Sequence, residues 1–149
     1  MLDYLEILDQ LTVPELLRRT VETRKHNDAL CFKKNGVWES LSWNEYYDLT
    51  RIVARAFCHL GLRQGEGVSI IGFNCVQWVV SDLAAIFAGG VPVGIYTTSS
   101  SDQCFFLAQH SESSIIVVED QEQLDKIKKV EKKLTKLKAI ILMGGDDPA

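Results

Sequence analysis

The most suggestive polar residues of this 149-residue chain form one run, in which a tyrosine is followed by two threonines and three serines. The run covers residues 96–101 and comes directly after an apolar segment that is typical of a buried strand. Ligands bind beyond the carboxyl ends of parallel strands, where hydroxyl groups could contact a phosphate. Tyr96, Thr97 and Thr98 are therefore candidate ligand contacts.

The composition of the same run favours a simpler role. A phosphate-binding loop needs glycine for close backbone approach and usually lysine for charge, and neither residue occurs between Ile95 and Leu107. Ser100 or Ser101 is instead well placed to cap the helix that is predicted to follow. Asn74 has the same ambiguity, because it follows another predicted strand and has the side chain of an N-cap. Helix capping is the favoured interpretation at both places, and ligand contact stays open.

Cysteine and histidine are too scattered to indicate a metal site or a catalytic pair. The cysteines lack the short spacing of zinc ligands, so we expect reduced, mostly buried structural thiols, with a zinc site as the less favoured alternative. These residues are Cys31, Cys58, Cys75 and Cys104. His59 is expected to be solvated, because it falls on the polar face of a predicted helix, and a catalytic role is not favoured because no nucleophile accompanies it. Asp146 and Asp147 could hold magnesium but have no neighbouring phosphate loop. The sequence therefore predicts no catalytic, cofactor-binding or metal-binding residue.

A dinucleotide site of the Rossmann type is excluded by the turn after the first predicted parallel strand. Such a site needs closely spaced glycines, so that the backbone can approach a pyrophosphate at the start of a helix. Gly72 is followed by Phe73 and Val76, and the next glycine is Gly89. We therefore expect neither NAD nor FAD.

A strand–helix–strand unit over residues 67–101 organises the chain. Residues 68–73 and 91–96 are short apolar runs typical of buried strands, and a helix with one apolar face is predicted between them. That helix is expected to end at Gly89 and Gly90 and to place Phe87 on its innermost face. Its apolar face consists of Val76, Val79, Val80, Leu83, Ala84 and Phe87. The short return predicts a parallel, right-handed unit.

The residues before this unit predict helices and a hairpin. A short helix is expected over residues 2–8 and a second one from Thr12 to Arg24. Asn35-Gly36 is typical of a tight hairpin turn. Ser42 and Glu45 have the spacing of a capping box, which begins a long helix. The apolar face of that helix is predicted to comprise Tyr46, Leu49, Thr50, Val53, Ala56, Phe57 and Leu60.

The residues after the unit repeat the alternation of helix and strand. A capped helix, a strand over residues 113–118, an amphipathic helix and a strand over 139–143 are predicted in turn. The amphipathic helix is expected to bury Leu124, Ile127, Val130, Leu134 and Leu137. The fold class is therefore α/β: a mainly parallel four-stranded sheet with flanking helices, preceded by N-terminal helices and a β-hairpin. Residues 1–149 are expected to form a single domain.

Two segments carry a resemblance to a known family. GFNCVQW, which begins at Gly72, and AAIFAGGVPVGIYTTSSSDQCFFL, which begins at Ala84, resemble the early part of the adenylate-forming enzymes. They most resemble long-chain fatty acyl-CoA synthetases of the bubblegum type, and the similarity extends from about Thr12 to Met143. The resemblance implies that the chain is a fragment of the large N-terminal, AMP-binding domain.

The resemblance also implies a reaction. In that family ATP and a long-chain fatty acid give an acyl-adenylate and pyrophosphate, and CoA then displaces AMP, with magnesium assisting. The reactive motifs of the family lie further along a chain several times longer, and none of them occurs here. We therefore expect this chain alone to bind no ATP, CoA or magnesium and to be inactive. The alternative is a non-catalytic truncated product or interaction module on the same scaffold.

Net charge and hydropathy limit the classes of binding partner and the cellular location that are expected. The net charge of −4 argues against a nucleic-acid partner. Residues 1–10 lack the features of a signal peptide and no apolar run has the length of a membrane span, so a cytoplasmic location is expected. The lysine-rich segment 126–138 is interpreted as the solvated face of a helix, while peripheral membrane contact stays open. The remainder of the enzyme or a second copy of the chain is a further possible partner.

Overall fold

The computed structural model describes residues 11–144, in two units that meet in sequence between Leu49 and Thr50. The helix predicted over residues 2–8 and the carboxylates of Asp146 and Asp147 lie outside the described residues. The first unit contains α1 (Val13–Arg24), β1 (Asp28–Lys34), β2 (Val37–Ser42) and the start of α2 (Trp43–His59).

Residues that are close in sequence determine the hairpin turn and the helix start in the first unit. Strands β1 and β2 pair antiparallel, and Asn35 and Gly36 between them have φ angles of 50° and 83°. Positive φ at both central residues confirms the predicted hairpin turn. The backbone N–H of Ser42 donates to Oε2 of Glu45 at 2.8 Å, and the N–H of Glu45 donates to Oγ of Ser42 at 3.3 Å. The predicted capping box is therefore confirmed.

The second unit is a parallel sheet with helices on both faces. After α2 the order is β3 (Gly67–Ile71), α3 (Val76–Phe87), β4 (Val91–Ile95), α4 (Ser101–His110), β5 (Ser113–Val118), α5 (Gln121–Lys128), a short 3₁₀ helix (Glu131–Lys133) and β6 (Ala139–Leu142). The strands lie in the order β4-β3-β5-β6, and all pairs are parallel. This confirms the predicted α/β class and the four-stranded parallel sheet.

Alternate residues of the strands build one core on each face of the sheet. Ile70 and Val117 pack with Phe57 of α2 and with Ala84 of α3 on one face. On the other face, strand residues such as Ile116 pack with Cys104 and Ala108 of α4, with Ile127 of α5 and with Val130, which follows α5. The side chains of β3 and β5 are buried throughout. Both strands lie in the middle of the sheet, which explains their continuous apolar runs.

Helix α2 buries a narrower stripe than its sequence predicts. Ala54 and Phe57 are buried, whereas Ala56 and Leu60, which were predicted to face the core, are exposed. Leu49 is also 38% exposed. The helix has apolar residues around much of its circumference, so periodicity alone cannot identify the side that faces the core.

Helix α3 begins and packs differently from the prediction. Its N-cap is Cys75, which makes no side-chain cap bond, so the prediction that Asn74 is the N-cap is wrong. Ser81 is buried, whereas Phe87 is only partly buried. The buried residues of the helix are Val80, Ser81, Ala84 and Ala85, so small side chains form most of its inner face. The end of the helix is as predicted: the N–H groups of two consecutive glycines donate to Ile86 and Ala85, and Gly89 has a φ of 79°.

Two further predictions are wrong in part. The amphipathic helix ends at Lys128 and is followed by a 3₁₀ turn, although Val130 and Leu134 remain buried. A series of turns can preserve the spacing of apolar residues without a continuous helix. The four cysteines are free thiols, but Cys31 and Cys58 are exposed and only Cys104 is fully buried. An apolar neighbourhood in sequence therefore does not decide which way a thiol points.

Candidate functional site

The carboxyl ends of β3 and β4 border a cleft of about 640 Å³. Three of the predicted ligand-contact residues, Asn74, Tyr96 and Thr97, lie in its lining, whereas Thr98 is exposed outside it. The complete lining is Gly72, Phe73, Asn74, Trp78, Gly94, Ile95, Tyr96 and Thr97. Strand β3 ends at Ile71 and β4 at Ile95, two residues and one residue earlier than predicted, so that Phe73 and Tyr96 belong to the loops.

The loop after β3 is fixed by a carboxylate at the end of β5. The backbone N–H of Phe73 donates to Oε2 of Glu119 at 2.6 Å, and the N–H of Glu119 donates to the carbonyl of Ile71 at 2.9 Å. A Cβ atom at Gly72 would lie 3.0 Å from Cβ of Glu119. The close approach between the two loops therefore favours glycine at this position.

The indole of Trp78 forms the floor of the cleft. A Cβ atom at Gly94 would lie 3.4 Å from Cζ2 of Trp78, and one at Gly72 would lie 3.6 Å from Cδ1 of the same ring. Both distances are ordinary van der Waals contact, so the ring lies against both strand ends without requiring glycine at either position.

The walls of the cleft are aromatic and uncharged. Phe73 is 68% exposed and Tyr96 is 84% exposed, while Asn74 and Thr97 add polar groups beside them. None of the residues that line the cleft carries a charge. The described part of the chain also contains no group of three or more histidine, cysteine, aspartate or glutamate residues that could hold a metal ion. The cleft therefore suits an uncharged organic group better than a triphosphate with its magnesium ion.

The serines after Thr98 have structural roles. The N–H of Ser99 donates to the carbonyl of Tyr96 at 3.0 Å and closes a turn. Ser100 is the N-cap of α4: its Oγ accepts from the N–H of Gln103 at 3.3 Å, and its own N–H donates to Oε1 of Gln103 at 2.8 Å. The capping interpretation is therefore confirmed for Ser100, whereas it is wrong for Asn74.

Lys126, which was predicted to lie on a solvated helix face, contacts the backbone of the loop between β4 and α4. Nζ of Lys126 donates to the backbone carbonyl of Thr97 at 2.6 Å, and the lysine side chain is only 18% exposed. The solvated interpretation is therefore wrong for Lys126. The sequence offered no local signal for this contact, because Thr97 and Lys126 are separated by 29 residues.

Family membership follows from comparison of the sequence. Residues 17–149 match the model of the AMP-binding enzyme family. The chain is 46% identical over 134 residues to the long-chain-fatty-acid–CoA ligase ACSBG2 of Xenopus laevis, covering 90% of this chain and 18% of that protein. It is 44% identical over 120 residues to the human long-chain-fatty-acid–CoA ligase ACSBG1, covering 80% of this chain and 17% of that protein. The chain therefore spans about a fifth of the length of these relatives.

Solved structures share the fold. The anthranilate CoA ligase AuaEII, solved in complex with anthranoyl-AMP, superimposes with a TM-score of 0.81 at 24% identity, covering 91% of this chain and 25% of that one. A long-chain-fatty-acid–CoA ligase from Archaeoglobus fulgidus gives 0.80 at 21% identity, covering 94% and 29%. No helix within residues 11–144 is both long and apolar enough to cross a bilayer. By the match of residues 17–149 to the family model, the chain belongs to the AMP-binding enzyme family.

Proposed function

We propose that this chain supplies the first part of the AMP-binding domain of a long-chain-fatty-acid–CoA ligase. Its identity of 46% to a ligase of that name is the observation that carries the proposal. Residues 1–149 are proposed to belong to one domain of the complete enzyme. The family match supports this, because it runs without interruption across the boundary between Leu49 and Thr50.

The complete enzyme is proposed to join a long-chain fatty acid to CoA through an acyl-adenylate, with ATP and magnesium. The carboxylate of the fatty acid would displace pyrophosphate at the α-phosphate of ATP, the CoA thiol would then displace AMP, and magnesium would neutralise charge on the phosphates. The described residues of this chain do not fit either group, since the lining of the cleft is uncharged and the described residues offer no cluster of metal ligands. The 149 residues alone are therefore proposed not to form acyl-adenylate.

The contribution of this chain is proposed to be a rigid sheet edge that contacts an uncharged part of a ligand. Asn74, Tyr96 and Thr97 lie together at this edge, and Trp78 provides a flat floor beneath them. Aromatic side chains with a few polar groups are typical of small-molecule sites. A cytoplasmic location is proposed as well, since a reducing compartment would maintain the four free thiols.

A chimeric enzyme tests the proposal. The matching segment of the Xenopus laevis ligase is replaced by the corresponding residues of this chain, and acyl-CoA formation from a long-chain fatty acid is measured. We expect the chimera to be active and the same ligase without the segment to be inactive. A folded chimera without activity would contradict the proposal.

The cleft is tested in the same chimera. Tyr96→Ala should lower kcat/KM by about tenfold if its exposed ring contacts a ligand. Phe106→Ala is the matched control, because Phe106 is also a largely exposed aromatic residue and does not line the cleft. Equal effects of the two substitutions on kcat/KM would show that Tyr96 does not contact the ligand.

A further inference from the structure

Three hydrogen-bond acceptors surround the ammonium group of Lys126. Its Nζ lies 2.6 Å from the carbonyl oxygen of Thr97, 3.1 Å from Oε1 of Gln123 and 3.2 Å from Oε1 of Glu122. The first two contacts are hydrogen bonds, and the third is an ion pair with an exposed carboxylate. Lys126 does not itself line the cleft, whereas Thr97 does, so any effect of Lys126 on the cleft is exerted through Thr97.

The surroundings of Lys126 hold it in place. Gln123 is 4% exposed, and Cys104 of α4 is completely buried. Burial raises the pKa of the Cys104 thiol, and the positive charge of Lys126 acts in the opposite direction. A charged group that is largely removed from water is stable only when its partners are fixed. The lysine side chain is therefore expected to be ordered along its whole length.

The loop that Lys126 contacts forms one wall of the cleft. Tyr96 and Thr97 line the cleft, and the loop ends at Ser100, where the capping box of α4 begins. The turn closed by the N–H of Ser99 lies between these points. Lys126 joins this turn to α5, across a sequence separation of 29 residues.

We propose that Lys126 is a positioning residue, whose hydrogen bond to the carbonyl of Thr97 fixes the wall of the cleft formed by Tyr96 and Thr97. The importance of this role for a ligand rests on the proposed function. The positioning itself is a property of the unliganded chain. A hydrogen bond from a charged donor contributes more than a neutral one, which makes this contact a strong constraint on a short turn.

Hydrogen exchange of the 149-residue chain, followed by NMR without ligand, tests the proposal. In Lys126→Met we expect the amide of Ser99 to exchange at least about tenfold faster. The carbonyl ¹³C resonance of Thr97 should also move upfield, as it does when a hydrogen bond is lost. Amides of β3 and β5 should keep their rates within about twofold, because the sheet core does not depend on this contact.

The controls separate positioning from general stability. Lys129→Met removes an exposed lysine from the same segment and should leave Ser99 unchanged. Lys126→Arg keeps a charged donor and should restore most of the protection of Ser99. If Lys126→Met does not fold, Lys126→Gln replaces it, since the shorter amide keeps the position polar. An unchanged Ser99 amide, or equal acceleration throughout β3 and β5, would overturn the proposal.

This test is independent of the ligand. If the amide of Ser99 exchanges faster in Lys126→Met but Tyr96→Ala has no effect in the chimera, the proposed ligand contact is wrong and the positioning role of Lys126 is supported. If Tyr96→Ala lowers kcat/KM but the exchange of the Ser99 amide is unchanged in Lys126→Met, the ligand contact is supported and the positioning role of Lys126 is wrong.

Discussion

The ammonium group of Lys138 lies 2.6 Å from Oε2 of Glu66 and 2.9 Å from Oε1, although 72 residues separate them in the chain. Lys138 also donates to the carbonyl of Gly61 at 2.6 Å. Glu66 immediately precedes β3, and Lys138 immediately precedes β6. The pair therefore joins the amino ends of two strands that are separated by β5 in the sheet.

The Glu66–Lys138 pair predicts a specific dependence of stability on pH. Hydrogen bonds from Lys138 and from the N–H of Arg63 lower the pKa of Glu66 from 4.5 to about 2. Because the folded-state pKa is lowered, the stabilisation is present above pH 4.5 and is lost as the pH falls from 4.5 towards 2. We expect Glu66→Gln to remove about 1 kcal/mol of this acid-sensitive stability, since both side chains are partly exposed.

Urea denaturation at a series of acidic pH values measures this effect. Glu131→Gln, which removes a more exposed pair with Lys128, is the matched control and should leave the pH profile nearly unchanged. A Glu66→Gln profile that parallels the unsubstituted chain would show that the pair does not contribute.

Gly67→Ala should destabilise the second unit by about 3 kcal/mol. A Cβ atom at Gly67 would lie 2.4 Å from the backbone oxygen of Ser111 and 2.8 Å from Oγ of Ser113. The hydroxyl of Ser113 is itself held by the buried hydroxyl of Ser69 at 2.7 Å. The backbone cannot yield without disturbing this pair, so the strands must separate.

Thermal and urea unfolding of Gly67→Ala measures this cost. Gly94→Ala is the control, because the added methyl group would meet only the edge of Trp78 at 3.4 Å. A loss of stability below about 1 kcal/mol for Gly67→Ala would mean that β3 and β5 are less closely packed than the structure indicates.

Two phenylalanines are predicted to differ in their contribution to the core. Phe57 is 1% exposed, and Phe57→Ala should cost about 3–5 kcal/mol in the free energy of unfolding. Phe87 is only partly buried beside the same core, so Phe87→Ala should cost about 1–2 kcal/mol. The sequence placed Phe87 on the innermost face, and denaturant midpoints of the two variants distinguish these accounts. An equal or larger loss for Phe87→Ala would favour the expectation from sequence.

Features set by neighbouring residues were predictable from the sequence. The Asn35-Gly36 turn and the capping box of Ser42 and Glu45 depend on contacts within four residues, and both are confirmed. The parallel sheet was predictable because its buried strands are continuous apolar runs. The burial of Ala54 rather than Ala56 was not predictable, because the tertiary contacts of α2 decide it.

Some residues of the candidate site were also predictable from the sequence, and others were not. Asn74, Tyr96 and Thr97 were predictable because each follows an apolar run that predicts a strand, and parallel strands place their carboxyl ends together. Glu119 and Lys126 were missed, since their contacts with Phe73 and Thr97 cross 46 and 29 residues of sequence. Spacing within a helix or a strand contains no information about such contacts.

The measurement that tests the account most directly is pyrophosphate release by the isolated chain with ATP, magnesium and a long-chain fatty acid. Activation of a carboxylate requires groups that neutralise the triphosphate, and the cleft of this chain has no charged lining residue. We predict no release above a blank without protein, with the active chimera as positive control. Release by the isolated chain that falls in an Asn74→Ala/Thr97→Ala variant would contradict the account, because the cleft itself would then hold the nucleotide.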